Sequence, residues 1–241
     1  TNLILMSNIR LFFSESLSLN FKSELDKAQS HYLTKVMRIK IGEKFSLFNS
    51  KGEWLAKIVE LSNGIVRFSV IEKLRQQKAI KEIWLAFSPI KSNYFNFMIQ
   101  KATELGVTKF IPIIFDRTIV RKLNNQRIEK IIIEATEQSN RINLPILEKP
   151  QNLKNFLSYN SNKIELIFAD LNTSKKKLNI NKDNNKTICA IIGPEGDFSE
   201  KERELILSFK NVKPININQN ILRSETATIA IISIINYILS S

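Results

Sequence analysis

The stretch AIIGPEGDFSEKERELI, residues 190–206, runs from apolar residues into Gly193-Pro194, a lone Glu195, Gly196 and a helix start. The chain has only six glycines in 241 residues, so two of them with a proline around one glutamate ask for a reason. TICAII (187–192) reads as a buried strand. Ser199 and Glu202 stand at capping-box spacing and open a helix over 199–209. Strand, tight turn and capped helix make half of an α/β unit. In open α/β sheets ligands bind at the carboxyl ends of the strands. Glycines there let backbone N–H groups approach a ligand, Pro194 stiffens the turn, and Glu195 is placed to accept hydrogen bonds. An ordinary strand-to-helix loop would read the same from four residues alone.

Working outward, strands and helices alternate on both sides. IWLAFSPI (83–90), KFIPIIF (109–115), IELIFAD (164–170) and VKPININ (212–218) read as strands. NYFNFMIQKATELG (93–106) is a helix with Tyr94, Met98, Ala102 and Leu105 on one face, stopped at Gly106. A second helix, 124–141, ends before Pro145, and the chain closes on a long apolar helix. The alternation predicts an α/β layer with a mainly parallel sheet. Glu104, Glu134 and Glu137 with Arg141 read as surface helix pairs. SKKKLNINKDNNK (174–186) reads as a solvated loop.

The first 75 residues differ. IRLFF (9–13), KFSLFN (44–49), EWLAKIVEL (53–61) and IVRFSVIEKL (65–74) read as short strands separated by SKG and SNG turns, and this predicts a small barrel. SELDKAQSHYLTKVMR (23–38) has helical spacing at Leu25, Ala28, Tyr32, Leu33 and Val36. The polar, basic LRQQKAIKE (74–82) marks the boundary, so two domains are expected, 1–75 and 76–241.

Composition narrows the function. With 43% apolar residues the chain can bury a sizeable core. One cysteine, Cys189, allows no disulfide within the chain, and one histidine, His31, argues against a zinc site. No metal is expected. Nucleotide fingerprints of the GxGxxG and GxxxxGK[ST] kinds are absent. ATIAIISIINYIL (227–239) is too short for a membrane span and reads as a buried helix. No leader is evident, and MSNIRLFF looks like a natural start, which makes residues 1–5 an upstream extension. These readings point to a soluble protein of a reducing cytoplasm. The formal charge of +13 favours a polyanion partner. Both domains are basic, so charge does not choose between them.

A second stretch, ININQNILRSETATIAIISIIN (215–236), places Arg223, Glu225 and Thr226 at the mouth of the apolar last helix. The alternative is that Ser224 and Glu225 cap that helix and Arg223 is solvated.

KATELGV (101–107), EATEQSNR (134–141) with Pro145, GPEGDFSEKE (193–202) and ILRSETA (221–227), in this order and spacing, resemble the bacterial 16S ribosomal RNA uracil-N3 methyltransferases of the SPOUT superfamily. IRLFF and HYLTKVMRIKIGEKFSLFNSKGEW (31–54) resemble their small PUA-like barrel. The resemblance implies an N-terminal PUA-like RNA-binding β-barrel and a C-terminal SPOUT α/β domain with a trefoil knot, which dimerises. It implies S-adenosylmethionine (SAM) as methyl donor, held by Gly193, Pro194, Glu195 and Gly196 together with Ile217, Ile221, Leu222 and Thr226. The partner it implies is 16S rRNA or the small ribosomal subunit. Asp197 and Asn218 stand where the family has glycine, and both residue types tolerate positive φ. For the chemistry, Arg223 would stabilise negative charge on a uracil oxygen, and Glu225 or Glu195 would take the N3 proton. Arg10, Lys35, Arg38 and Lys40 are the candidate phosphate contacts of the barrel. A SPOUT methyltransferase acting on tRNA and a non-catalytic RNA-binding assembly factor are the alternatives.

Overall fold

The structure is a computed structural model and describes residues 9–175, 177–180 and 186–240. The expected extension at 1–5 and residues 176 and 181–185 of the expected solvated loop lie outside the described residues. The chain forms two compact units. The first holds the described residues through Ala79 together with Thr136–Leu144, and the second holds Ile80–Ala135 and Pro145 onward.

In the first unit, β1 (Arg10–Phe12), β2 (Lys22–Glu24), β3 (Lys44–Asn49), β4 (Gly52–Ser62) and β5 (Ile65–Gln76) form one sheet in the order β1-β3-β4-β5-β2. The expected SNG turn joins β4 to β5 with Asn63 at φ 51° and Gly64 at φ 77°. Positive φ at both central positions matches the right-handed twist of the flanking strands. Alternate residues turn inward, and Phe13, Phe45 and Phe68 meet edge to face over a core that includes Leu47, Ile58 and Val70.

The helix expected over 23–38 is shorter. α1 (Lys27–His31), capped by Asp26, passes into a π-turn over Tyr32–Val36. Arg38 then sits at φ 55°, which reverses the chain and returns Ile39 to the core. Leu25 and Leu33 are buried as the spacing predicts, but Val36 is exposed.

Arg10, expected as a phosphate contact, is turned inward. Its side chain is only 8% exposed and pairs at 2.9 Å with Glu53, which is fully buried. Its remaining donors reach the carbonyls of Glu137 (2.7 Å) and Arg141 (2.8 Å). Arg75 adds bonds to Glu53 and to Asn140, and the Glu137 carboxylate accepts the Phe12 N–H at 2.9 Å. Glu137 thereby ties the 136–144 segment to β1. Burial pulls Arg141 down to about 10. Glu104 with Lys101 and Glu134 with Lys130 are the surface pairs expected.

The second unit contains β6 (Ile83–Phe87), α2 (Ser92–Glu104), β7 (Lys109–Ile114), α3 (Asn125–Gln138, of which the part through Ala135 belongs here), β8 (Ile146–Leu147), β9 (Gln151–Asn152), α4 (Leu153–Asn160), β10 (Ile164–Ala169), β11 (Thr187–Ile192), α5 (Glu200–Leu207), β12 (Val212–Ile215) and α6 (Ser224–Ser240). Every pairing is parallel, in the order β12-β10-β11-β6-β7-β8, with β9 on β7. The predicted α/β layer with a parallel sheet is present. The central strands are apolar on both faces, as a sheet covered on both sides requires. Ala86, Leu166, Phe168 and Ile191 pack with Phe156 of α4 and Ile206 of α5. On the other face α6 packs on β11 and α2. Cys189 lies buried inside the sheet, and burial pushes its thiol up to about 12.

Candidate cofactor and active site

The site is built on the end of β11. The turn after it closes with the Asp197 N–H donating to the Pro194 carbonyl at 3.0 Å, and Asp197 stands at φ 62°. That is the left-handed conformation expected of a residue in glycine's place. The capping box on α5 is present, with the Ser199 hydroxyl and the Glu202 carboxylate each accepting the other's backbone N–H.

The two glycines have different reasons. A Cβ on Gly193 would stand 2.7 Å from the ring of Phe198. That ring is restrained by edge-on contacts with Phe115 and Phe168 at 5.1 and 5.2 Å. A Cβ on Gly196 would meet only the stem of Arg117, at 3.5 Å. Gly193→Ala is therefore expected to cost about 1–3 kcal/mol in overpacking and Gly196→Ala well under that, read as a difference in denaturant midpoint. Equal midpoints would remove the Phe198 contact as the reason for Gly193.

The turn is held from outside by the loop after β7. Arg117 Nη1 donates to the Gly196 carbonyl at 2.7 Å, the Asp116 N–H donates to Glu202 at 2.8 Å, and the Ser199 hydroxyl donates to Asp116 at 2.6 Å. From the other side Ser224, the first residue of α6, donates its hydroxyl to the Gly193 carbonyl at 3.0 Å. The alternative in which Ser224 caps its own helix is thus not what the side chain does. Glu195 accepts the Lys91 N–H at 3.4 Å, ahead of α2.

These pieces enclose a cavity of about 780 Å³, within the usual range for a small-molecule site. Ile90, Ile192, Ile215, Ile217, Ile221 and Leu222 supply apolar walls. The charged lining comprises five carboxylates (Asp170, Glu195, Asp197, Glu200 and Glu225) against Lys91, Arg203 and Arg223. An acidic excess in a chain of net charge +13 suits a ligand that carries positive charge. SAM, with a sulfonium, an ammonium and one carboxylate, is such a ligand, so the residues present fit it.

Residues 76–236 match the RNA methyltransferase domain family, and residues 25–71 match the RNA methyltransferase PUA domain. The ribosomal RNA small subunit methyltransferase E of Rickettsia conorii is 36% identical over 229 residues, 93% of each chain. The chain belongs to the ribosomal RNA small subunit methyltransferase E family. The Buchnera aphidicola member from Acyrthosiphon pisum is 31% identical over 233 residues, 93% of this chain and 91% of its own. Among solved structures, the family member from Neisseria gonorrhoeae bound to S-adenosyl methionine superposes with a TM-score of 0.86 at 25% identity, covering 95% of this chain and 97% of that one. A Legionella pneumophila protein in complex with the bound cofactor SAM also gives 0.86, at 27% identity and the same coverage.

Against this family membership the expected residues can be placed. Gly193, Pro194, Glu195, Gly196, Ile217, Ile221 and Leu222 line the cavity, as do Arg223 and Glu225. Thr226 does not: it is exposed on α6, because the helical turn that buries Ser224 and Glu225 carries the next side chain to the solvent side. Asn218 is not at positive φ. Its side-chain oxygen instead accepts the Asn220 N–H at 2.8 Å, so it supports the loop through a side-chain bond and not through glycine-like backbone freedom. Sequence reading missed three groups. Asp170, paired with Arg203 at 2.9 Å, follows the apolar β10 and was findable as a carboxylate at a strand's carboxyl end. Tyr94, read as part of the apolar face of its helix, is instead half-exposed and lines the cavity, and Arg117 had no such signal. Among the described residues no His/Cys/Asp/Glu group is arranged to hold a metal, and no helix is long and apolar enough to cross a membrane.

Proposed function

We propose that the chain is a SAM-dependent methyltransferase that acts on N3 of a uridine in 16S rRNA of the small ribosomal subunit. The observation that carries this is the acidic-lined cavity formed by residues 193–197 and 217–225 in a chain of this family. SAM, when bound, supplies a methyl group on a positively charged sulfur. The backbone of 193–196 and the side chains of Ile217, Ile221 and Leu222 hold it. Methyl transfer forms the N3–carbon bond and breaks the sulfur–carbon bond, and the N3 proton must leave the uracil. Arg223, exposed at the cavity mouth, stabilises the negative charge that spreads to a uracil oxygen. Glu225, buried at the start of α6, or Glu195, exposed on the turn, takes the N3 proton.

The remaining expectations belong to the same reading. Residues 1–75 contact RNA, and 76–241 bind SAM and dimerise. Lys35, at the end of the π-turn, and Arg38 and Lys40 just after it are exposed and are retained as phosphate contacts. A homodimer is supported by the exposed faces of Phe97 (43%) on α2 and Tyr237 (73%) on the apolar α6. A trefoil knot at the C-terminal end of the second unit is part of the same reading. A cytoplasmic site of action follows from the substrate.

Small subunits and tRNA from a strain deleted for the gene, each incubated with the protein and labelled SAM, test the function. One methyl at N3 of a 16S uridine is expected by digestion and mass mapping. Label in tRNA alone would favour the alternative substrate, and SAM that binds to neither protein nor complex would favour a non-catalytic assembly factor.

A further inference from the structure

Arg223 projects at the mouth of the cavity, yet among the described residues it has no carboxylate within ion-pair distance. What it does contact is an aromatic ring. Its guanidinium carbon lies over Tyr94 at 5.2 Å from the ring centroid. Tyr94 stands in the first turn of α2, lines the same cavity and is 49% exposed. The half-exposed Tyr94 ring, on a helix that buries Phe95, Met98 and Ile99, is not explained by the core. α2 itself is tied to the turn after β11, because the Lys91 N–H immediately before it donates to Glu195.

We propose that Tyr94 is a positioning residue, whose ring holds the Arg223 guanidinium at the cavity mouth. The inference rests on the role given to Arg223 above. A carboxylate partner would restrain the guanidinium equally well, but it would neutralise the charge and occupy the forked donors. An aromatic face restrains the cation while leaving its charge uncompensated and its N–H groups directed outward from the ring. The charge then remains available when the uracil becomes anionic. The same geometry assigns Arg223 its direction before substrate arrives, which lowers the reorganisation needed in the transition state.

The test compares single-turnover methylation, with SAM saturating, in the full-length protein and in Tyr94→Leu, Tyr94→Phe, Arg223→Ala and the Tyr94→Leu/Arg223→Ala double variant. Tyr94→Leu is expected to slow the step about fivefold, the effect of an exposed cation–π contact, with SAM affinity changed less than about twofold. Tyr94→Phe keeps the ring face and is expected to restore the rate to within about twofold. In the Arg223→Ala background the Tyr94→Leu change should have no further effect, since coupled residues are non-additive. A readout independent of turnover is the NMR signal of the Arg223 side chain, which should lose a ring-current shift in Tyr94→Leu and keep it in Tyr94→Phe. The inference is overturned if Tyr94→Leu slows the Arg223→Ala protein as much as the unaltered one, if Tyr94→Phe is as slow as Tyr94→Leu, or if the ring-current shift is absent. Should Arg223→Ala be slow while Tyr94→Leu is normal, only this inference fails. Should Arg223→Ala methylate normally, the role of Arg223 fails and the inference falls with it.

Discussion

Arg223→Ala is expected to lower the rate of methyl transfer by roughly 10²-fold or more, the loss seen when one preorganised donor is removed from a developing anion. SAM affinity should change little, because the contacts proposed for SAM are the 193–196 backbone and the apolar residues 217–222. A group that acts when charge develops on the uracil affects kcat more than ground-state binding. Arg223→Lys should recover the charge but not the fork, and so only part of the rate. A purely structural role would need an acidic partner, and none of the described residues provides one within ion-pair distance. Loss of the side chain should therefore leave stability within about 1 kcal/mol. Single-turnover methylation beside equilibrium SAM binding decides the matter. A normal single-turnover rate in Arg223→Ala would remove this residue from the active site.

RNA affinity is expected to fall on the order of 10³-fold between 50 and 200 mM salt, if about six phosphates are contacted. The basis is the +13 charge and the exposed cluster of Lys35, Arg38 and Lys40. Replacing those three with alanine should reduce the salt slope by about two to three, because each phosphate contact contributes close to one unit. Arg10→Ala should leave the slope unchanged: its guanidinium is bound to Glu53 and to backbone carbonyls. It should instead destabilise the first unit, since it strands a buried carboxylate and loosens the 136–144 segment. A flat salt response of the unaltered protein would show that the basic excess is not the RNA-binding surface.

What was legible in the sequence was local or periodic. The apolar run 187–192 read as a buried strand, and Ser199 with Glu202 carried the helix start within four residues. Asp197 had a residue type able to hold positive φ, and it does so at 62°. The motifs around 193–196 and 221–227 carried the family and with it the position of the cavity. α4 was missed although Leu153, Phe156, Leu157 and Asn160 are buried at helical spacing behind the Asn152 cap, because eight residues are a short window for a periodic signal.

By itself, then, the sequence determined the main alternation of strands and helices and the two loops, 193–197 and 217–225, that line the cavity. Tertiary structure alone decided the rest. It turned Arg10 inward onto Glu53 and a segment some 130 residues away, left Thr226 outside the cavity, gave Gly193 its need for a bare Cα by placing Phe198 against it, and set Arg223 over Tyr94. The physical reason is common to Arg10, Gly193 and Arg223. Hydrophobic periodicity specifies which face of an element is buried, but a guanidinium, a glycine or an exposed ring takes its role from the neighbour that another element brings to it. That neighbour is set only when the sheet order and the packing of α2 and α6 are complete.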